Sequence, residues 1–299
     1  MTPAARPHRG TITLEQAPVL AHLHFDGEQH VLRLAAPQCA ARATPGSFVH
    51  LRCGAELPMR RPLSIMRADP AGGWIEVLYK VVGPGTRALA EVQPQQTLSV
   101  LGPIGQGFLL HPERPRVLAL GGGVGIPPMI FLAERLRDRS ATAWKPLVLM
   151  GSEIPFPFRA RPSSIMIAGM PEAVIASMPL LEEWGTPCRL ATLSGFAGCF
   201  DGYVTELARA WLSAAGPAAL AETEIFACGP TPMLAATARL AREFSVPCQV
   251  ALEEFMVCAV GGCAGCAVTV QTATGPAMKR VCVDGPVFEA NSVFPANRS

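Results

Sequence analysis

Four cysteines near the C-terminus constrain this chain more than any other feature of its sequence. Cys258, Cys263, Cys266 and Cys282 follow the spacing C-x4-C-x2-C-x15-C, and the first three lie within the stretch CAVGGCAGC. The spacing C-x4-C-x2-C followed by a distant cysteine is typical of plant-type [2Fe–2S] sites. Glycine and alanine between the ligands let the backbone approach a cluster without side-chain clashes. The pattern predicts a [2Fe–2S] site, with the fourth thiolate supplied by a separate strand.

Zinc binding and simple burial are the alternatives for these cysteines. Zinc sites usually contain paired C-x2-4-C knuckles, whereas this chain has one C-x2-C pair and separate single cysteines. Unpaired buried cysteines are common, and we interpret five others in that way: Cys39, Cys53, Cys188, Cys199 and Cys248. The N-terminus has no apolar stretch of signal-peptide length, so we expect a cytoplasmic location, where disulfides are rare.

The first segment, residues 10–112, has the pattern of a small antiparallel β-barrel. Short β-rich runs are separated by Gly, Pro or Asp, and no helical stretch longer than a few turns interrupts them. The runs are TITL (11–14), VLRLAA (31–36), SFVHLRC (47–53), WIEVLYKVV (74–82) and TLSVLG (97–102).

Two stretches of this segment contain residues suited to a flavin. Arg61 in MRRPLSIM can neutralise a pyrophosphate, and Ser64 in the same stretch can hydrogen-bond the edge of a flavin ring. Gly85 and Thr86 in VLYKVVGPGT offer backbone N–H groups and a hydroxyl to phosphate. By spacing alone, surface arginines and an ordinary turn remain the simpler interpretation.

The second segment, residues 113–245, alternates strands and helices, which predicts a parallel sheet wound in the Rossmann manner. We expect strands at VLAL (117–120), PLVLM (146–150), CRLATL (188–193) and EIFACG (224–229). We expect helices at MIFLAERLRD (129–138) and EAVIASMPLLEEWG (172–185). The proline-rich stretch 152–164 is expected to form a loop or insertion over one edge.

Two turns of the second segment are candidates for dinucleotide binding. The glycine-rich stretch GGGVGIPP (121–128) lies between a predicted strand and a predicted helix, although its spacing is not G-x-G-x-x-G. The turn in FACGPTPML (226–234) would lie at the carboxyl edge of the same sheet, where ligands bind. Cys228 in this turn would either approach a nicotinamide or serve as a packing residue.

The third segment, residues 246–299, is too short to fold on an apolar core alone, so a metal would stabilise it. VTV and KRVCV are expected to pair as a hairpin across a Thr-Gly-Pro turn. The net charge of +2 provides no electrostatic reason to expect a nucleic-acid partner. No run of 18 or more apolar residues is present, so no membrane span is expected.

Taken together, these motifs resemble the ferredoxin-reductase superfamily, and within it the electron-transfer subunits of type B (class 1B) dihydroorotate dehydrogenases. The resemblance extends from about residue 12 to residue 290. Its marks are RRPLSI, YKVVGPGT, GPIGQGF, LGGGVGIPP, FACGPTPML, LEEFMVCAVGGCAGC and VCVDGPVF. LEEFMVCAVGGCAGC and VCVDGPVF together are the motifs most specific for this family, because most relatives in the superfamily have a different cluster domain or none.

The resemblance implies an α+β multidomain protein with a flavin-binding β-barrel (10–112), a Rossmann-like nicotinamide domain (113–245) and a small [2Fe–2S] domain (246–299). It implies FAD binding by Arg61, Pro62, Leu63, Ser64, Leu78, Tyr79, Lys80, Gly85 and Thr86. It implies NAD binding by Gly121, Gly122, Gly123, Gly125, Cys228, Gly229 and Pro230, and cluster binding by the four cysteines of the C-x4-C-x2-C-x15-C pattern. No catalytic acid or base is expected in this chain.

The resemblance also implies a role in pyrimidine (UMP) biosynthesis. A separate FMN-containing subunit would oxidise dihydroorotate, and electrons would pass through the cluster and FAD of this chain to NAD+. A flavin belongs between the other two cofactors because NAD exchanges two electrons as hydride and the cluster exchanges one. The family suggests a heterotetramer of two plus two subunits. The alternatives are a related subunit serving a ferredoxin, hydrogenase or sulfide-related partner, and a zinc-stapled binding module.

Some residues depart from the superfamily pattern or have two interpretations. Leu63 lies where many superfamily members have an aromatic residue that stacks on the flavin, and residues 152–180 do not resemble the usual second βα unit. Glu153 would repel the 2′-phosphate of NADP, although Arg159 and Arg161 lie close in sequence. The apolar residues around the cluster loop are expected either to contact the partner subunit or to be core: Phe255, Met256, Val257 and Val260.

Overall fold

Six antiparallel strands close into a barrel in the first segment of the chain. The structure, a computed structural model, describes residues 10, 12–54, 56–137 and 143–296. The barrel strands are β1 (Thr13–Phe25), β2 (Gln29–Ala35), β3 (Phe48–Leu51), β4 (Arg61–Asp69), β5 (Trp74–Lys80) and β6 (Thr97–Ile104). They pair in the order β1-β2-β5-β4-β3-β6, and closure leaves no open edge. The antiparallel barrel predicted from the sequence is therefore present.

The details of the barrel differ from the expected runs in two ways. β1 continues to Phe25, well beyond the expected run 11–14, whose residue 11 lies outside the described residues. Two short helices, α1 (Pro37–Arg42) and α2 (Pro84–Ala90), occupy connections between strands. Each begins with proline, whose fixed φ suits the first helical position. The interior is apolar, with Leu32, Ile65 and Val77 fully buried.

A seven-stranded sheet with flanking helices follows. The elements between residues 116 and 251, in chain order, are β7 (Arg116–Gly122), α3 (Ile126–Arg137), β8 (Lys145–Gly151), β9 (Arg161–Pro162), β10 (Ala176–Ser177), α4 (Pro179–Glu183), β11 (Cys188–Thr192), β12 (Phe200–Asp201), α5 (Val204–Ala214), α6 (Pro217–Ala221), β13 (Thr223–Cys228), α7 (Thr231–Glu243) and β14 (Cys248–Ala251). The pairs β12-β11, β11-β8, β8-β7, β7-β13 and β13-β14 are all parallel. β9 and β10 form a separate antiparallel pair.

The helix expected over residues 172–185 is wrong. Only α4 is helical there, and residues 176–177 form β10 instead. Pro179 lies in the middle of the expected helix and lacks an N–H to donate, so the helix begins at that residue rather than continuing through it. α3 begins at Ile126, three residues earlier than expected, because Pro127 and Pro128 are accommodated in its first turn. Residue 138, the expected end of α3, lies outside the described residues.

The third segment combines part of the sheet with a separate hairpin. Its elements are β15 (Ala267–Thr272), β16 (Gly275–Arg280), α8 (Val281–Asp284), β17 (Val287–Glu289) and α9 (Ala290–Val293). β15 and β16 form the hairpin, and β17 pairs antiparallel with β14 at the edge of the large sheet. The expected boundary at residue 246 thus falls before a strand of the large sheet. Cys282 lies on α8 and not on a strand as expected.

α3 packs the barrel against the sheet. Phe131 on α3 is fully buried and belongs to the apolar core of the barrel. Arg67 on β4 forms an ion pair with Glu134 on α3, with Nη2 and Oε1 2.7 Å apart. These contacts hold the barrel against the helix that follows β7 of the sheet. Among the described residues, no helix has the length and apolar character needed to cross a membrane.

Candidate functional site

A cavity of about 740 Å³ lies where the barrel, the sheet and the start of the cysteine loop meet. Gly122, Gly151, Cys228 and Ala251 line it, and they are the last residues of β7, β8, β13 and β14. The carboxyl ends of four neighbouring parallel strands therefore form one wall of the cavity. This is the position at which open α/β sheets bind ligands.

The barrel forms the opposite wall. The residues assigned to FAD that line the cavity are Arg61, Pro62, Leu63, Ser64, Leu78, Tyr79, Lys80 and Thr86. Residues 61–64 begin β4 and residues 78–80 end β5, so adjacent antiparallel strands present both groups at one end of the barrel. The structure therefore brings together two stretches that the sequence separates by more than ten residues.

Gly85 is the one residue assigned to FAD that does not line the cavity. A Cβ atom at this position would lie 2.7 Å from Nε of Arg61. Glycine is therefore needed to leave room for the Arg61 guanidinium against the first turn of α2. The Thr86 hydroxyl accepts hydrogen bonds from the N–H groups of Val82 and Gly83 at 2.9 and 3.2 Å. This hydroxyl therefore stabilises the turn before α2, and its assignment to a phosphate stays a prediction.

Tyr79 is buried between the cavity and the interior of the barrel. Its Oη lies 2.9 Å from Nε2 of His22, and its ring stacks on His30 with centroids 5.0 Å apart. Burial raises the pKa of the Tyr79 phenol, with a smaller contribution from Cys53. Tyr79 is therefore a neutral, firmly held residue of the cavity wall.

The glycine-rich turn and the Cys-Gly-Pro turn lie against each other at the sheet edge. Gly122, Gly123, Cys228 and Pro230 line the cavity, whereas the other three residues assigned to NAD do not: Gly121, Gly125 and Gly229. A Cβ on Gly125 would lie 2.5 Å from the backbone nitrogen of Gly229. These glycines therefore permit the two turns to approach each other. The neighbouring residues that line the cavity wall are Gly122, Gly123, Cys228 and Pro230.

Cys228 is buried, and its side chain contributes to the cavity wall. Burial raises the pKa of the Cys228 thiol to about 12, with a smaller contribution from Glu253. The thiol is therefore neutral and unreactive at physiological pH. This protonation state suits a residue that packs against a bound ring.

The proline-rich loop after β8 closes one side of the cavity. Ser152, Glu153 and Ile154 line it, and Nε2 of Gln29 on β2 donates a 2.6 Å hydrogen bond to the carbonyl of Pro155. Arg159 and Arg161 do not line the cavity. The acidic residue of this loop therefore faces the cavity, and the two arginines do not.

The four cysteines lie on a glycine-rich loop and on α8. Cys258 Sγ accepts hydrogen bonds from the N–H groups of Gly262 and Cys263 at 3.3 and 3.4 Å, and Cys263 Sγ accepts one from Gly265 at 3.4 Å. Such donors favour a thiolate. They lower the pKa of the Cys258 thiol to about 7, although burial acts in the opposite direction.

The cysteine sulfurs are arranged as two pairs. Sγ of Cys266 lies 3.4 Å from Sγ of Cys282, and Cys263 is within hydrogen-bonding reach of Cys258. In the described part of the chain, no three cysteine sulfurs lie within 4.8 Å of one another. A single zinc ion with Zn–S distances near 2.3 Å would draw all four sulfurs to about 3.8 Å from each other. The four cysteines therefore fit a metal site in which Cys258 and Cys263 bind at one end and Cys266 and Cys282 at the other.

An apolar core connects the cysteine loop to the barrel. Phe48 of β3 and Met256, just before Cys258, belong to the cluster of buried residues that contains Cys266 and Cys282. Phe48 and Met256 also line the cavity. Sequence reasoning assigned neither residue to a cofactor, and only the position of Met256 in LEEFMVC offered a signal. Gln29 and Ile154 were also missed, and no motif marks them.

The residues at the end of the chain match a family model described as the iron-sulfur cluster binding domain of dihydroorotate dehydrogenase B, over residues 253–294. Two curated relatives carry the name "Dihydroorotate dehydrogenase B (NAD(+)), electron transfer subunit". The protein of Caldanaerobacter subterraneus subsp. tengcongensis is 33% identical over 252 residues, covering 84% of this chain and 87% of the relative. That of Geobacillus kaustophilus is 36% identical over 256 residues, covering 83% and 86%.

Solved structures share the fold. An NADH-dependent reduced ferredoxin-NADP oxidoreductase superimposes with a TM-score of 0.75 at 26% identity, covering 93% of this chain and 90% of that one. A ferredoxin NADP+ reductase from Neisseria gonorrhoeae with bound FAD and NADP has a TM-score of 0.56 at 17% identity, covering 78% and 92%. The family model spans all four cysteines, and the solved structures agree with the overall fold.

Proposed function

Because the chain belongs to the family of dihydroorotate dehydrogenase B electron-transfer subunits, we propose that it transfers electrons from a dihydroorotate-oxidising partner to NAD+ through a [2Fe–2S] cluster and FAD. The reaction belongs to pyrimidine biosynthesis. This chain supplies the iron–sulfur and flavin sites, and the partner supplies the site at which dihydroorotate is oxidised.

The observation that supports this function best is the continuity between the cavity and the cysteine loop. Phe48 and Met256 touch the cavity on one side and pack with Cys266 and Cys282 on the other. A flavin in the cavity and a cluster on the cysteines would therefore contact the same packed apolar cluster. Short separation through a packed medium is what electron transfer between two cofactors requires.

The barrel wall would hold the flavin. Arg61 supplies the positive charge for a pyrophosphate, and Gly85 leaves room for the guanidinium to reach it. Leu63 and Tyr79 provide apolar surface, and the β4–β5 pairing presents them at the same end of the barrel. The cavity volume of about 740 Å³ lies within the usual range for a large ligand.

The sheet edge would hold the nicotinamide nucleotide. Gly122, Gly123 and Pro230 border the cavity opposite the barrel, so a ring bound there would face the flavin. The exposed Glu153 carboxylate also borders the cavity, while Arg159 and Arg161 do not. A carboxylate repels the 2′-phosphate of NADP, so this arrangement supports NAD as the acceptor.

The two cysteine pairs support a two-iron cluster at Cys258, Cys263, Cys266 and Cys282. The three bound groups together would supply one-electron and two-electron transfer. The protein's own contribution is to hold the thiolates with backbone N–H donors, to exclude water from Cys266 and Cys282, and to fix the separation between the sites.

An exposed apolar surface next to the cysteine loop is the proposed contact with the partner. Phe255 is 72% exposed, Val257 48% and Val260 42%, whereas Met256 is buried and belongs to the core. Cys263 is exposed at the same surface. A docked subunit would cover these apolar side chains and bring its own cofactor, proposed to be FMN, close to the cluster. The proposed complex is a heterotetramer of two copies of this chain and two copies of the partner subunit.

Co-expression with a candidate dihydroorotate-oxidising subunit tests the function. The purified complex should contain FAD and two iron atoms per copy of this chain, and it should reduce NAD+ when dihydroorotate is added. A complex carrying Cys263→Ser should still oxidise dihydroorotate with an artificial dye but should no longer reduce NAD+. A complete complex that oxidises dihydroorotate without any reduction of NAD+ would contradict the proposal.

A second candidate function follows from the similarity to the NADH-dependent reduced ferredoxin-NADP oxidoreductase, which covers nearly the whole chain at a TM-score of 0.75. In that case the partner would be a ferredoxin-linked subunit. The two functions are separated by the electron donor: reduced ferredoxin, and not dihydroorotate, would then support NAD+ reduction by the complex purified from its native host.

A further inference from the structure

Three histidines of β1 and β2 meet beside Tyr79 of the barrel wall. One ring nitrogen from each of His22, His24 and His30 lies within 4.8 Å of one from each of the others. Their ring centroids are 4.6 Å apart for His22 and His24, 4.6 Å for His24 and His30, and 5.3 Å for His22 and His30. Among the described residues, no other group of three histidine, cysteine or acidic side chains is gathered so closely.

The strand register explains why these side chains converge. His24 on β1 pairs directly with His30 on β2, and His22 pairs with Leu32. Residues paired across strands share a face, and so do residues two apart on one strand. Leu32 is fully buried in the barrel core, and the three histidines lie on the same face of β1 and β2 as this residue. His30 is buried, His22 is half-buried and His24 is exposed, so the cluster runs from the barrel wall to solvent.

The hydrogen bonds of the histidines indicate which ring nitrogens carry a lone pair. Nδ1 of His22 lies 2.8 Å from the carbonyl of Val92, which can only accept, so Nδ1 carries the proton and Nε2 has the lone pair. His30 is 8% exposed, and its buried Nδ1 has no hydrogen-bond partner. A buried imidazole nitrogen without a partner is costly, and a bound cation would satisfy it.

We propose that His22, His24 and His30 form a binding site for a divalent transition-metal ion, with zinc as the ion that suits the site best. Three neutral imidazoles and an open fourth position for water are a common zinc donor set. The Val92 carbonyl orients the His22 ring through its protonated nitrogen, as hydrogen-bond acceptors do for many metal-bound histidines. Sulfur does not participate, so this site is distinct from the four cysteines.

The geometry requires only side-chain movement. Nitrogens bound to a tetrahedral zinc ion at about 2.0–2.1 Å lie about 3.3 Å apart, compared with separations of up to 4.8 Å here. His24 is exposed and can rotate, which gives the ion a path from solvent. Binding through Nε2 of His22 displaces the hydrogen bond from the Tyr79 hydroxyl. Because Tyr79 lines the cofactor cavity, occupancy of the metal site is expected to change the environment of the flavin.

Zinc binding to the purified full chain, loaded with its flavin and cluster, tests the proposal. After removal of loosely bound metal, dialysis against Zn²⁺ should leave one zinc per chain by elemental analysis. His24→Ala should weaken this binding by at least about tenfold, since loss of even an outer partner costs that much. Leu23→Ala, on the same strand but the opposite face, and His111→Ala, between β6 and β7, should bind zinc like the unmodified chain. Cluster absorbance recorded in the same samples shows whether metal has exchanged at the cysteines.

Copper provides a second measurement. One equivalent of Cu²⁺ should give an electron paramagnetic resonance spectrum with hyperfine coupling to imidazole nitrogens, and His22→Ala should change that coupling. A chain that binds no zinc with the cluster intact would overturn the proposal. So would unchanged zinc binding in both the His24→Ala and the His22→Ala variants.

Discussion

Gly125 and Cys228 are in van der Waals contact across the two turns at the edge of the sheet, and no side-chain atom fits between them. A Cβ atom on Gly125 would overlap the carbonyl group of Cys228 and lie 2.5 Å from the nitrogen of Gly229. Gly125→Ala is therefore expected to push the two turns apart, to lower the free energy of unfolding by about 1–3 kcal/mol and to raise the KM for the nicotinamide nucleotide.

Urea unfolding and steady-state kinetics measure these two effects. Gly10→Ala is the control, because a Cβ at this exposed residue meets no atom within 4 Å, and it should change stability by no more than about 0.5 kcal/mol. Equal behaviour of the two variants would show that the turns are not closely packed.

Replacement of a cysteine in the loop should remove the iron–sulfur cluster. Cys263→Ser replaces an exposed thiol that belongs to one of the two pairs, so iron and acid-labile sulfide should fall from two each per chain to near zero. Cys199→Ser, a half-buried cysteine outside the loop, should keep both. Iron and sulfide analysis and the spectrum of the reduced protein measure the outcome. Zinc in place of iron in the unmodified chain would contradict a two-iron site.

A negative charge on the apolar surface should weaken docking of the partner. Val257 is 48% exposed beside the cysteine loop and does not line the cavity. Val257→Asp is expected to raise the Kd of the complex at least tenfold, or about 1.4 kcal/mol, while flavin and iron content stay unchanged. Met166→Asp is the control, since Met166 is 93% exposed on a distant loop. Analytical ultracentrifugation compares the two, and equally stable complexes would place the interface elsewhere.

The carboxylate of Glu153 should select against NADP. Glu153→Gln removes the charge that borders the cavity, so the ratio of kcat/KM for NADPH to that for NADH should rise roughly tenfold. Arg159→Gln should leave the ratio unchanged, because Arg159 does not line the cavity. Rates of flavin reduction by each nucleotide provide the measurement. A fall in the ratio with Arg159→Gln would indicate that the arginine approaches the nucleotide.

His50 should make stability depend on pH. It is 1% exposed on β3, and burial, with a smaller effect of Arg60, lowers its pKa from 6.5 to about 4. Between these values the unfolded chain binds a proton that the folded chain does not, so stability falls as pH decreases. The contribution of His50 to this loss is about 3 kcal/mol at most.

His50→Leu should reduce the loss of stability between pH 6.5 and pH 4 and leave the slope above pH 7 unchanged. Urea unfolding at a series of pH values measures both slopes. An unchanged slope below pH 6.5 would show that His50 becomes protonated in the folded protein.

The sequence predicted the elements whose signals are local. Alternation and turn residues indicated the barrel, and strand–turn–helix order indicated the parallel sheet around Gly121. The same reasoning failed at residues 172–185, where the apolar spacing suited a helix but Pro179 divided it. It also failed to predict that Cys282 lies on a helix, because the four residues of α8 have no strong preference for helix over strand. The cavity residues without a motif, such as Gln29 and Phe48, had no local signal at all.

By itself the sequence determined the four cysteines at ligand spacing and the order of barrel, sheet and cysteine loop, because spacing and periodicity are properties of neighbouring residues. Only the tertiary structure decided that Phe48 and Met256 both line the cavity and belong to the apolar cluster of Cys266, and that His24 and His30 pair across β1 and β2. Those contacts join residues far apart in the chain. They depend on strand register and on the packing of α3, which no short stretch of sequence encodes.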